Sequence, residues 1–358
     1  MIVGVKLDPN SYRRIKEFVE KGTYESVESF VEIAVLNQIL LESNGVASLG
    51  ASKEARVTSK EEVATKPSQT KQAGVQQFIE YLACPKDAPL PVLPPLSLTE
   101  EIRAFPIWGQ INRLAPAKMA LRILANRVLL LGTDRVDLKK FSADAAETAT
   151  LTRLYIEKKD KKERIRGEGL YVALAKKDPG SQQRFINFYI GRLPSGKMTD
   201  GILTGLGLAR IEQTDDGSVA IGLTEAGRKL ACLSSPLIDE FLLQEKQIEN
   251  PFSSAEVEFL LDHLEVNRPG EFEYIVSVLR FIREGTVTPT ALRQKVGTFL
   301  RDKSPTIKIS EKFVNTMQVG LMGRLVEMRL VGIEKDAQKS KYSVTDAGMA
   351  LLNREVKA

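Results

Sequence analysis

The sequence is poor in the residues that most metal and nucleophile chemistry requires. Its 358 residues include one histidine, His263, and two cysteines, Cys84 and Cys232. So few ligands cannot build a Cys/His zinc cluster. No Ser/His/Asp or Cys/His constellation can be assembled without a plausible base, and His263, in the acidic amphipathic stretch LLDHLE, reads as a satisfied surface or interface histidine. Two cysteines exclude a disulfide framework and fit a reducing compartment. Long apolar runs are missing as well: no stretch approaches the roughly 18 apolar residues of a membrane span. The start, MIVGVKLDPN, has neither the apolar core nor the cleavage site of a signal peptide. The expectation is a cytoplasmic protein with no catalytic residues, no cofactor, no bound metal and no membrane partner. At this length the chain is long enough for roughly two to four domains.

Acidic excess is also missing, since the formal net charge is +5, and the charge is unevenly spread. Lys+Arg minus Asp+Glu is −2 over residues 1–44, −1 over 45–102, +4 over 103–150, +5 over 151–232, −6 over 233–283 and +5 over 284–358. Two basic regions thus flank an acidic one, which suits a polyanionic partner. Charge runs such as EKKDKKERIR at 157–166 are also what a solvated helix face looks like.

What the chain does contain is a unit used twice. Leu208–Leu230 reads LARIEQTDDGSVAIGLTEAGRKL, and Leu330–Leu351 reads LVGIEKDAQKSKYSVTDAGMAL. Each opens on an apolar pair framing Ile-Glu, passes a polar tip and returns as an alternating run (Val219, Ile221, Leu223; Tyr342, Val344). Asp216-Gly217 is a strong hairpin-turn signal. Each unit closes on Thr-acid-Ala-Gly, where Thr224 or Thr345 caps a helix whose first residue is acidic, the sign that the helix dipole favours. This plan resembles the C-terminal part of winged-helix domains of prokaryotic regulators. The resemblance implies that helices Ser195–Leu206 and Ser310–Arg329 approach the major groove and that the tips Asp215–Ser218 and Ala337–Lys341 form wings. Phe313, Met317, Leu321, Leu325 and Met328 stripe the core face of the last helix, with Lys312, Asn315, Val319 and Met322 opposite.

Residues 1–43 hold a second pattern. Val3, Val5 and Leu7 alternate as a short strand, and Asp8-Pro9 opens a helix with Tyr12, Ile15, Phe18 and Val19 on one face. After Gly22 a second helix from Ser26 carries more apolar surface than a two-helix unit can bury. The segment resembles ribbon–helix–helix repressors of the Arc/MetJ type, which implies an obligate homodimer. In that family the outward strand residues read bases; here those positions are Ile2, Gly4 and Lys6, of which Lys6 alone can contact a base or phosphate.

Between these regions, residues 44–72 are too polar to bury a core. A short helix is expected over 74–83, then an extended strap, PKDAPLPVLPP, lying on the next domain. Trp108 reads as a packing anchor. Helices are expected at Pro116–Leu131, Asp137–Asp160, Ser254–Glu265, Glu271–Arg283 and Thr288–Leu300, and strands at Phe185–Ile190 and Gly169–Ala175. Gly191–Met198 (GRLPSGKM) approaches the phosphate-binding pattern G-x-x-x-x-G-K-[ST], with Met198 in place of the magnesium-ligating hydroxyl. Gly205-Leu206-Gly207 lacks the third glycine of a dinucleotide site.

The expected fold is mainly α with short β-hairpins. A ribbon–helix–helix-like dimerisation segment (1–43) and a flexible, Pro-rich linker (44–97) precede a first winged-helix domain (98–233). An acidic connector (234–253) then leads to a second winged-helix domain (254–358). The expected function is non-enzymatic: a dimeric, sequence- or structure-dependent binder of double-stranded DNA, either a transcriptional regulator or a DNA-associated component of a larger system. The candidate contacts are Lys6, Lys197, Lys312, Asn315, Lys339 and Lys341, lysines for phosphate and Asn315 for a base edge. The second domain is expected to grip, because Asp215-Asp216 would repel phosphate from the first. The alternative is a protein-docking scaffold that contacts other subunits, and a third reading is an ATP-binding enzyme using Gly191–Met198.

Overall fold

The computed structural model describes residues 82–355 apart from 86–88, 96, 164–172, 193–200, 304–308 and 337–338, together with Tyr12, Lys16 and Val27, which are helical. The N-terminal ribbon with Lys6, and most of the helix expected over 74–83, lie outside the described residues. Two compact units divide the chain, Met1–Lys66 and Pro67–Ala358, so both hairpin-bearing halves share the second unit. It is mainly helical with a few short antiparallel strands. Among the described residues, no helix is long and apolar enough to cross a membrane.

Local chemistry sets most element ends. Helix α1 (Glu100–Ala104) starts at Thr99, whose hydroxyl accepts from the Ile102 amide. Helix α2 (Ala115–Leu131) takes Pro116 in its first turn and stops at Gly132, whose φ of 61° an L side chain rarely adopts. Strand β1 (Val136–Asp137) leads to α3 (Leu138–Glu163), where the Asp137 carboxylate caps the Lys140 amide at 2.7 Å. Asp178 and Pro179 open α4 (Pro179–Phe185). That helix widens into a π turn over Ile186–Ile190, where a strand was expected. The error has a simple cause: Phe185, Tyr189 and Ile190 bury one helical face, and a run this short carries no decisive period. Of the strand expected over Gly169–Ala175, residues 169–172 lie outside the described residues, and 173–175 are a turn, a bend and irregular chain, not strand.

The remaining elements follow in order. They are α5 (Ile202–Gly205), β2 (Ala209–Gln213), β3 (Val219–Leu223) and α6 (Glu225–Cys232), then a π-helical turn at Pro236–Leu242. The second half holds α7 (Ser254–Asn267), α8 (Pro269–Arg283), α9 (Pro289–Lys303), α10 (Glu311–Glu327), β4 (Val331–Asp336), β5 (Lys339–Val344) and α11 (Asp346–Glu355). The longer helices begin and end within a turn of their expected limits. The first sheet has the order β1-β3-β2, all antiparallel, and the second pairs β4 with β5. Val287, just before α9, accepts from the Tyr342 amide at 2.8 Å and so plays the part in the second sheet that β1 plays in the first.

The repeated unit repeats down to its hydrogen bonds. Thr224 donates its hydroxyl to the Gly207 carbonyl at 2.7 Å, and Thr345 donates to the Arg329 carbonyl at 2.5 Å. Gly207 and Arg329 share the left-handed conformation, at φ 66° and 56°. The same hydroxyls accept from the amides of Gly227 and Gly348. A Cβ on Gly227 would lie 1.8 Å from the Leu208 oxygen, and one on Gly348 would lie 2.3 Å from the Leu330 oxygen. The Pro-rich strap lies on the sheet as expected: Leu93 bridges Thr224 and donates its amide to the Leu223 carbonyl at 2.7 Å.

Two sets of buried charges join the halves. On α2, Lys118 pairs with Glu256 at 2.8 Å and Arg122 with Asp239 at 2.8 Å. Both cations also bind the Leu233 carbonyl at the end of α6, where the helix dipole favours positive charge. The connector is accordingly packed, with Leu237, Ile238, Phe241, Leu242 and Phe252 buried. The second set holds residues 105–115, which cross α8 and α10 backbone against backbone. A Cβ on Gly320 would lie 2.1 Å from the Gly109 oxygen, and one on Gly323 would lie 2.4 Å from the Asn112 oxygen. Contact that close leaves no room for water, so the segment's polar groups need protein partners. Glu271 accepts from the Ile107 amide at 2.8 Å, and Arg268 donates to the Phe105 carbonyl at 2.9 Å. Arg324 binds the Ile111 carbonyl while pairing with Glu271 at 2.8 Å. Glu327 accepts from the Leu114 and Ala115 amides, capping a helix that Leu114 cannot cap itself.

Arg324 and Glu271 are each 1% exposed at the side chain. Glu271→Gln leaves the guanidinium buried without its counter-charge and should lower stability by about 3–5 kcal/mol. Urea unfolding should show a lower midpoint at unchanged slope. A shift worth under about 1 kcal/mol would mean that the pair contributes little to the join.

Candidate nucleic-acid interface

Of the six candidate contacts, Lys312 and Asn315 lie on α10 and Lys339 and Lys341 on the hairpin after it, while Lys6 and Lys197 lie outside the described residues. Ser310 caps α10 by accepting from the Phe313 amide at 3.2 Å. Val314, Met317, Leu321 and Leu325 then recur at helical spacing and are fully buried, which turns the opposite face outward. On that face Lys312 is exposed, Asn315 is half-buried and Val319 is 54% exposed. Met322, expected beside them, is only 4% exposed. Residues 105–114 run along the neighbouring flank of Thr316, Gly320 and Gly323, with Gly109 against Thr316 and Gly320 and with Arg113 donating to the Gly323 carbonyl at 3.2 Å.

This crossing shapes the surface beside Lys312. Trp108 stands edge-on to Phe313 with ring centroids 6.0 Å apart. A groove of about 220 Å³ runs between them, lined by Trp108, Gln110, Ser310, Lys312, Phe313, Thr316 and Met317. Trp108 is thus a packing residue with 38% of its surface left open. Chemically the stripe offers a mobile cation at Lys312, a side chain that both donates and accepts at Asn315, and an apolar contact at Val319.

The hairpin is less basic than its lysines suggest. In the β4–β5 register Glu334 stands opposite Lys341, and Asp336 opposite Lys339. Opposite charges facing across a ladder attract, so Glu334 competes with phosphate for Lys341. On the other face Ile333 stands opposite Tyr342 and is 44% exposed.

The first half offers little to a phosphate. Its hairpin tip is built on Asp216, which accepts from the Ser218 amide at 3.0 Å and from the hydroxyls of Thr214 and Ser218. Those donors, Thr214 first, hold its carboxyl down at about 2. Arg135 pairs with Asp134 and Glu212, and Arg210 also pairs with Glu212. The helix expected at Ser195–Leu206 is helical over Ile202–Gly205, where it is buried, and Lys197 lies outside the described residues. No strand leads into the phosphate-loop-like run, because Ile186–Ile190 is helical. His263 joins the halves, with Nε2 at 2.6 Å from the Leu206 carbonyl oxygen, Nδ1 beside Asn267 and its ring stacked on Phe259. Among the described residues no group of three or more His, Cys, Asp or Glu side chains is placed to hold a metal ion.

The carboxylate that fixes residues 105–115 should make the join respond to pH. Burial pushes Glu327 from the ordinary 4.5 up to about 7, against the pull of its two amide donors. The native form therefore keeps a proton that the unfolded chain has released between those values. Its stabilising contribution is complete below about pH 4.5 and fades as pH rises through about 7. Glu327→Gln removes this dependence, although it sets a donor against an amide and weakens the fold at every pH. The gap between wild-type and variant urea midpoints should be wider at about pH 5 than at about pH 8. A gap independent of pH would contradict the shift.

No protein-family model matches this chain, and comparison with curated proteins and with solved structures finds no match.

Proposed function

We propose that the chain is a dimeric double-stranded DNA-binding protein with two winged-helix modules, in which the second module grips and the first supports it. The order of elements supports the winged-helix reading. A helix, a short strand, further helices, a hairpin and a closing helix occur as α2, β1, α3 to α5, β2–β3 and α6. They recur as α8, Val287, α9 and α10, β4–β5 and α11. In the first module the short strand lies beside the third, giving the order β1-β3-β2.

The observation that carries the DNA reading is the open stripe Lys312–Asn315–Val319 on the helix before the second hairpin. In this reading Asn315 contacts a base edge, and Lys312, Lys339 and Lys341 contact phosphate. Ile333 and Val319 favour a second reading in which the same face docks a protein subunit, since large exposed apolar side chains suit a protein surface better than phosphate. Dimerisation through residues 1–43 rests on their sequence pattern, and Lys6 and Lys197 are further phosphate contacts in this proposal. A transcriptional regulator or a DNA-associated component of a larger system fits the assembly, and the cytoplasm suits both.

Two measurements test this. Fluorescence anisotropy on random duplex across a salt series should show the Lys312→Ala/Lys339→Ala/Lys341→Ala variant with a log–log slope shallower by up to about three units, at roughly 0.9 per phosphate. Asp215→Asn with Asp216→Asn should change binding little. Wild-type affinity and slope in the triple variant would move the assignment to protein docking. Light scattering should give a dimer for the full chain and a smaller species for residues 67–358, and a monomeric full chain at micromolar concentration would remove the dimer.

A further inference from the structure

The chain's two cysteines are 148 residues apart, yet the fold sets them against each other, with Cys84 Sγ donating to the Cys232 carbonyl oxygen at 3.2 Å. Both thiols are free and half-buried. Cys84 belongs to residues 82–85, which α2 fastens through Arg122 on the Leu82 carbonyl (3.1 Å) and Asn126 on the Ala83 carbonyl (2.9 Å). Cys232 is the last residue of α6, and the Leu233 carbonyl beyond it is held by the same Arg122 at 2.8 Å. One guanidinium thus positions both cysteine-bearing segments. By standard bond lengths the contact limits the Cα separation to roughly 8 Å, and disulfides span about 4.4–6.8 Å. At the upper end of that limit, closing the bond requires the backbone of residues 82–85 to shift toward α6.

We infer that Cys84 and Cys232 form a redox-sensitive dithiol, closed to a disulfide by peroxide-class oxidants and reopened by thiol reductants. One thiolate attacks a peroxide oxygen, the O–O bond breaks, the sulfur keeps that oxygen as a sulfenic acid, and the other oxygen leaves as water once the thiol's proton is counted. The second thiol attacks the sulfenic sulfur, the S–S bond forms, and its proton departs with the hydroxyl as a second water. Burial pushes the Cys84 thiol up while Arg122 draws it down, so closure should quicken as the pH rises. The bond would tie the segment before the Pro-rich strap covalently to the end of α6. Transient, sensing disulfides of this kind are compatible with a reducing compartment.

The test treats the full chain with hydrogen peroxide and reads intact mass, a non-reducing digest and thermal unfolding. The expected result is the loss of two hydrogens, a linked peptide pair containing Cys84 and Cys232, and a raised thermal midpoint that dithiothreitol reverses. Cys84→Ser keeps a donor to the Cys232 carbonyl, and Cys232→Ser keeps that carbonyl, so both variants should fold and show none of these changes. Oxygen addition without the linked peptide, or disulfides formed only between chains, would overturn the inference.

Discussion

Residues 105–115 meet α10 backbone to backbone, and four side chains take up the amides and carbonyls that this close contact shields from water. Arg268, Glu271, Arg324 and Glu327 satisfy amides and carbonyls from Phe105 to Ala115. A buried peptide with unmet hydrogen bonds would cost about 1–3 kcal/mol per group, and these charges would be costlier still if buried alone. Each set is tolerable only because the other is present. The glycines at 109, 320 and 323 let the backbones approach closely enough for this exchange. The stripe on α10 lies beside the same crossing, with Lys312 and Val319 exposed and Asn315 half-buried.

Much of the helical framework was legible in the sequence because its signals are local. Thr224, Ser253 and Ser310 cap helices within a few residues of themselves, and the α10 stripe follows a period of one turn. The doubled hairpin was legible for the same reason, down to the paired threonines. The left-handed residue that each threonine grips was not, because it is Gly207 in one copy and Arg329 in the other. An arginine in that conformation costs roughly 1–2 kcal/mol and gives no composition signal.

The join and the candidate site were harder to read. FPIWGQINRL has no period, and its partners lie 163 to 213 residues later. Arg324 and Glu327 look in sequence like ordinary solvated charges, and only the fold shows that both point inward. The lysines at 339 and 341 looked like a basic tip because the acids opposite them, Asp336 and Glu334, are recognised only once the register is known. Cys84 and Cys232 carried no spacing that would pair them.

The direction of dependence across the join has a consequence for biosynthesis. The four side chains that satisfy residues 105–115 all belong to the part of the chain made last, from Arg268 onward. As the polypeptide leaves the ribosome, the first half can form its hairpin and pack α2 against α6. Its crossing segment must stay hydrated, and α2 uncapped at Leu114, until Glu327 has emerged 213 residues later. N-terminal domains commonly finish folding during synthesis. Here the groups that close the first half arrive with the second, so a chain stalled between the halves lacks the partners of residues 105–115.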